Sequence, residues 1–142
     1  MNIVKSKHVG CYGIAKKDDK VLLIRKGRGA YKGKLDLPGG GIEYGEKPDD
    51  TIKREFMEEV GVAIKDYKIK MAITNYVVWD MDENTKEDLS HYGIIYDVII
   101  DDDDIEKIKK DADGYDSLGA CWYDINDLTK EDLSPFASTI LD

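Results

Sequence analysis

One helix with an apolar face and an acidic face limits what this chain can fold into more than any other feature. Between Pro48 and Val60 the apolar residues Ile52, Phe56 and Val60 recur at intervals of four, which at about 100° per residue makes one buried stripe. The spacing predicts a helix over 48–60 lying on another layer. Pro48 suits the first helical position, where a missing N–H costs nothing. Asp49 and Asp50 fall in the first turn, where the helix dipole favours acids. Gly61 can take the left-handed conformation that ends a helix. The same helix carries Glu55, Glu58 and Glu59 at spacings of three and four, hence on one face. Like charges this close cost about 0.2–0.5 kcal/mol per pair on an exposed helix. A cation among them offsets the cost, and carboxylate oxygens are the hard ligands that Mg²⁺ and Mn²⁺ prefer. Taken alone, however, an acidic helical face is most often solvated surface.

The flanking segments read as strands. His8 to Ala15 and Lys20 to Arg25 are joined by the short polar Lys16-Lys17-Asp18-Asp19, as in a hairpin. Gly27 to Gly33 is a glycine-rich loop tipped by Arg28, Tyr31 and Lys32. Leu35 to Leu37 is extended, because Leu37 precedes Pro38. Gly39-Gly40-Gly41 makes a tight turn in which backbone can approach a ligand. Val62 to Trp79 reads as one or two strands, Asp80 to Ser90 as a charged loop, and His91 to Ile100 as an apolar strand. Ile105 to Lys110 reads as a short helix, Leu118 to Tyr123 as a last strand and Lys130 to Leu141 as a closing helix. Most strand connections are too short for crossover helices, so the sheet should be mixed, with helices on both faces. The 142 residues suit a single domain over 1–142.

Composition narrows the partners. With 30 acids against 21 bases and a net charge of −9, the chain is ill suited to track a nucleic-acid backbone. A small phosphorylated substrate stays open, since carboxylate-held divalent cations can supply positive charge. No apolar run reaches the roughly 18–20 residues that span a bilayer, and Met1 to His8 lacks a signal core. The expectation is a cytoplasmic protein without a membrane partner. Cys11 and Cys121 have no metal-type spacing. Two thiols in a reducing compartment, or a disulfide between them, both fit.

The acids gain weight from what surrounds them. Gly40, Glu46, Arg54, Glu55, Glu58, Glu59 and Gly61 stand at fixed offsets. Seven such matches arise by chance at on the order of one in 10⁸ per start site, so a bland acidic surface no longer explains the string. Arg54, four before Glu58, can orient a carboxylate, and Glu46 can fold back on the cluster from the turn. The segment Gly40-Ile-Glu-Tyr-Gly-Glu46, seven residues, then Arg54-Glu55-Phe56-Met57-Glu58-Glu59-Val60-Gly61-Val62 resembles the Nudix box in every spacing. Phe56 stands where the family usually has an aliphatic residue. Leu37-Pro38-Gly39 and Ala120 to Leu128 resemble the family's lead-in and late strand.

The resemblance implies an α/β fold, an α/β/α sandwich with a mixed central sheet. It also implies hydrolysis of a nucleoside diphosphate linked to another group, with Mg²⁺, or Mn²⁺ in its place. By the same carry-over Glu55 and Glu59 would be the principal metal ligands, completed by the carbonyl of Gly39. Glu58 would be a further ligand or a water-activating base, and Glu46 and Arg54 would support the site. Arg25 resembles the basic residue that grips a phosphate in nucleotide-directed members; a surface arginine is the alternative. The resemblance leans toward a small nucleotide substrate and is compatible with a homodimer. A non-catalytic nucleotide-sensing module on the same fold is the alternative function.

Other candidates stay unselected. Glu83, Glu87, Asp101 to Asp104, Asp113 and Asp116 could each supply a base outside the helix. Tyr76, Trp79, Tyr92, Tyr96 and Trp122 include stacking candidates, though most suit a core. His8 and His91 lack partner motifs and receive no role.

Overall fold

Apolar alternation sets the strands, and the strands run longer than the sequence suggests. In the computed structural model, which describes residues 1–108 and 117–142, β1 (Asn2–Lys17) turns back into β2 (Lys20–Lys26). Two short strands follow, β3 (Leu35–Asp36) and β4 (Gly39–Gly41), then α1 (Pro48–Val60). β5 (Ile64–Asp80) and β6 (Thr85–Ile100) form a long antiparallel hairpin, and β7 (Ser117–Asp124) pairs with β2. The sheet order is β3-β2-β1-β6-β5, with β4 beside β1. β1 and β6 are parallel while the other pairs are antiparallel, so the expected mixed sheet is present.

The helix occupies the predicted span. Ile52, Phe56 and Val60 are fully buried against Cys11, Tyr96 and Val98. Each such side chain contributes about 1.5–3 kcal/mol, far more than the acid repulsion on the adjacent face removes. Gly61 ends the helix in the left-handed region at φ 82°, its N–H bonded to Phe56 and Met57 carbonyls. A second core on the other side of the sheet joins Tyr12, Leu23, Leu37 and Ile95 to Phe136 and Ile140.

Three expectations need correction. Lys130 to Leu141 is not one helix: it holds short 3₁₀ turns at Lys130–Asp132 and Ala137–Leu141. Pro135 lacks an N–H and keeps Ser134 out of the helical region. Ser134 instead donates its N–H to Leu35 O, and Leu133 bridges to Leu35. The second face is therefore covered by these turns. Asp80 to Ser90 is mostly strand. Trp79 faces Glu87 and Asp80 faces Lys86 across the hairpin, and Lys86 Nζ reaches Asp80 Oδ1 at 3.1 Å, so cross-strand pairing absorbs the charges. The helix expected over Ile105 to Lys110 is a 3₁₀ turn at Asp102–Lys107; residues 109 and 110 lie outside the described residues. Both cysteines are free, Cys11 buried and Cys121 exposed. Among the described residues no helix is long and apolar enough to cross a membrane.

Candidate active site

Arg54 organises the acids. Its Nε donates to Glu46 Oε2 at 2.8 Å and its Nη2 to Glu46 Oε1 at 2.9 Å, a two-pronged bond. Nη1 donates to Glu55 Oε1 at 2.8 Å, Nη2 to the Gly41 carbonyl at 3.0 Å, and Nη1 reaches Glu58 at a longer 3.4 Å. Thr51 Oγ1 adds a 2.6 Å bond to Glu46. The guanidinium and this hydroxyl hold the Glu46 carboxyl down to about 2. Arg54 thus ties the glycine turn to the helix.

The turn fits the helix by close approach. A side chain at Gly39, where φ is 151°, would put its Cβ 2.1 Å from the Cys11 carbonyl oxygen of β1. At Gly40 a Cβ would lie 2.6 Å from the Glu55 carboxylate. Backbone blocks any side chain at Gly39, whereas at Gly40 the Glu55 carboxylate would have to move aside.

Glu59 stands apart from its neighbours. It is 7% exposed, and its hydrogen bond from Gly39 N–H is long, 3.4 Å. Burial pushes its carboxyl well above the ordinary range; the Lys26 charge opposes that and Glu55 adds to it. Glu55 and Glu59 open into a cleft of about 480 Å³ that Asp36, Tyr12, Lys26, Arg28, Tyr31 and His91 also line. Glu58 is not among its lining residues: its side chain is 57% exposed, outside Arg54.

These residues suit a hard divalent cation by donor chemistry. Buried Glu59 with its one long bond, Glu55 beside it and Asp36 in the same cleft are the hard oxygen donors such a cation takes. Among the described residues no three carboxyl, imidazole or thiol groups already converge to metal-holding distance.

Arg25 and Lys26 separate as strand neighbours do. Lys26 lines the carboxylate cleft. Arg25 donates to the Gly33 carbonyl at 2.8 Å and lines a different depression of about 620 Å³ with Lys34, Trp122, Asp127 and Glu131. That depression is larger but holds none of the helix acids. Of the other acids considered, Glu87 lines the cleft, Asp101 caps the 3₁₀ turn, and Asp113 and Asp116 lie outside the described residues.

Sequence reasoning passed over Asp36 and His91. Asp36 is 3% exposed, accepts from Ser134 Oγ at 2.5 Å and Leu37 N at 2.8 Å, and is raised chiefly by burial. An acid between two leucines ahead of Pro38 was its available signal. His91 bonds Tyr12 and Tyr31, and burial, with help from His8 and Lys26, pushes its imidazole down to about 4. Between about 6.5, the unfolded value, and 4, His91 binds more protons in the unfolded chain than in the folded one, so its own contribution to stability rises with pH in that window and is lost as pH falls through it. The raised carboxyls of Glu59 and Asp36 act in the opposite sense. Comparison with His91→Gln isolates the imidazole: by urea unfolding, the native protein should lose about 2 kcal/mol more between pH 7 and pH 5 than that variant does. An equal change in both proteins would remove His91 as a source.

A glycine turn, an acid-bearing helix and a basic-rimmed cleft on a mixed α/β sheet define a Nudix-type hydrolase architecture. The chain belongs to the NUDIX domain family, whose model matches residues 4–142. It is 30% identical over 125 residues to a Nudix hydrolase of Bacillus subtilis, covering 88% of this chain and 71% of that protein. Shorter matches are to an ADP-ribose pyrophosphatase of Methanocaldococcus jannaschii, 43% identical over 53 residues, and an 8-oxo-dGTP diphosphatase of Escherichia coli, 33% over 57. These cover 37% and 39% of this chain but 31% and 44% of those proteins. Solved Nudix hydrolases of Burkholderia pseudomallei and Nitrosomonas europaea share the fold, with TM-scores of 0.60 and 0.62 at 21% and 20% identity. They cover 95% and 96% of this chain, and 95% and 86% of their own.

Proposed function

We propose that this chain hydrolyses the diphosphate linkage of a small nucleotide, a nucleoside triphosphate or a nucleoside diphosphate joined to another group, with Mg²⁺ or Mn²⁺. The observation that carries this reading is buried Glu59 beside Glu55, facing a cleft that also holds Lys26 and Arg28. Relatives named as an ADP-ribose pyrophosphatase, an 8-oxo-dGTP diphosphatase and a nucleoside triphosphatase support it.

Glu55, Glu59 and the Gly39 carbonyl would hold the cation, which when bound supplies positive charge to the phosphate oxygens and acidifies water. Glu58, exposed and outside the residues that line the cleft, would be a further ligand or the group that accepts a proton. Glu46 and Arg54 keep the helix acids aimed and the turn closed over them. Lys26 and Arg28 would meet the phosphate charge, the part expected of Arg25.

The test is phosphate or pyrophosphate release across nucleoside triphosphates, oxidised nucleotides, ADP-ribose, dinucleoside polyphosphates and nucleotide sugars. Turnover should require Mg²⁺ or Mn²⁺, stop on chelation and return when metal is restored. Calorimetric binding of a nucleotide with no turnover under either metal would instead establish the sensing module.

A further inference from the structure

Outside the box, one hydrogen-bonded chain runs along the floor of the same cleft. Tyr12 Oη lies 2.6 Å from His91 Nε2, Tyr31 Oη lies 3.0 Å from His91 Nδ1, and Asn75 Nδ2 donates to Tyr31 Oη at 3.2 Å. Tyr12 and His91 are each 5% exposed. Tyr31, on the glycine-rich loop, is half-buried, lines the cleft and lies nearly parallel to the His91 ring at 17°.

Counting protons assigns a direction to every bond. A neutral imidazole has one N–H and one lone pair, so the two hydroxyls must play opposite parts. A proton on Nε2 would make Tyr12 Oη an acceptor. Its own O–H would then lack a partner among the described residues, which buried donors avoid. A proton on Nδ1 leaves nothing unpaired: Tyr12 donates to Nε2, and Nδ1–H donates to Tyr31 Oη. Tyr31 Oη then accepts from both His91 and Asn75, which uses both its lone pairs. Its own proton is left to point into the cleft.

We propose that Tyr31 determines substrate specificity: its hydroxyl is locked as a donor and selects nucleobases that present a carbonyl oxygen where adenine and cytosine present an amino group. This rests on the reading of the cleft as a nucleotide site. A base is the better partner than a phosphate because Asp36 and Glu87 lie near the Tyr31 hydroxyl and repel an anion there. Trp79 also lines the cleft, its Nε1 donating to Glu87 at 2.7 Å, and offers a flat apolar surface for a ring.

The test compares kcat/KM for the ribo- and deoxyribonucleoside triphosphates with Mg²⁺ in the native protein, Tyr31→Phe and Asn75→Leu. The native protein should prefer guanine, thymine and uracil over adenine and cytosine. Tyr31→Phe should lose about tenfold on the preferred bases and little on the others, as expected for one hydrogen bond. Asn75→Leu frees a lone pair on Tyr31, so its hydroxyl can accept as well as donate, and should raise the disfavoured bases. A uniform loss with the base ratio unchanged, or a native protein with no base preference, overturns the proposal. Two-bond ¹⁵N–¹H spectra of the free protein should show His91 as the Nδ1–H tautomer, and the Nε2–H form overturns the assignment. If no nucleotide is hydrolysed, the functional reading and the selectivity fall together, and the tautomer signal separates that failure from a wrong proton assignment.

Discussion

Glu59→Gln is expected to lower kcat by about 10³, the scale of losing a group that holds a catalytic metal, while making the metal-free protein more stable to heat. Glu59 is 7% exposed with one long bond from Gly39 N–H. A buried carboxylate so poorly partnered opposes folding until a cation joins it. The amide keeps the shape, loses the charge and can still accept from Gly39. Removing about 1 kcal/mol of that opposition raises Tm by roughly 3 °C. Metal should reverse the order. Mg²⁺ at about 100 times its Kd adds about 2.7 kcal/mol to the native protein and little to the variant. Scanning calorimetry with and without Mg²⁺, beside single-turnover rates, reads both effects. A variant within tenfold of the native rate, or one less stable without metal, would sink the assignment of Glu59 as a ligand.

Arg54→Ala is expected to cost about 2 kcal/mol of stability and at least about 10² in rate. Breaking a buried ion pair by removing one partner costs about 3–5 kcal/mol, and the Arg54 side chain is a quarter exposed, which lowers the figure. The loss leaves Glu46 and Glu55, at 15% and 13% side-chain exposure, without their cation, and frees the Gly41 carbonyl. Repulsion then spreads the acids and loosens the turn from the helix. Arg54→Lys should recover only part of the stability, because an ammonium cannot bond both Glu46 oxygens and reach Glu55 and Gly41 as the planar fork does. Urea unfolding and steady-state kinetics on the best nucleotide test this. Full rescue by lysine would show that charge alone, without the fork, holds the site.

The helix was legible because its signals are local. The stripe of Ile52, Phe56 and Val60, Pro48 at the start and Gly61 at the end each act within a turn or two of the chain. That Arg54 can orient a carboxylate and that Glu46 can fold back from the turn is legible as well, because both stand close to the helix acids in sequence. Non-local contacts are not. The sequence predicts a helix over Lys130 to Leu141, yet Pro135 and the docking of Leu133 and Ser134 on Leu35 decide otherwise. The strand beginning at Thr85 was hidden because its charged residues are balanced by partners on β5 that sequence order does not reveal.

The glutamates on one helical face illustrate the division. By itself the sequence determined that Glu55, Glu58 and Glu59 share a face, that the stripe of Ile52, Phe56 and Val60 beside it must be buried, and that a glycine turn and Arg54 accompany them. Helical periodicity and fixed spacing are properties of the local backbone, and they suffice for that. Only the tertiary structure decided that these acids are not equivalent: Glu59 lies buried in the cleft, Glu55 lines it beside Gly40, and Glu58 stays outside Arg54. It also decided that Lys26 faces the acids while Arg25 does not, and that Asp36, His91, Tyr12 and Tyr31 meet them. Burial and proximity depend on what the sheet brings alongside the helix, and those neighbours come from strands far away in the chain.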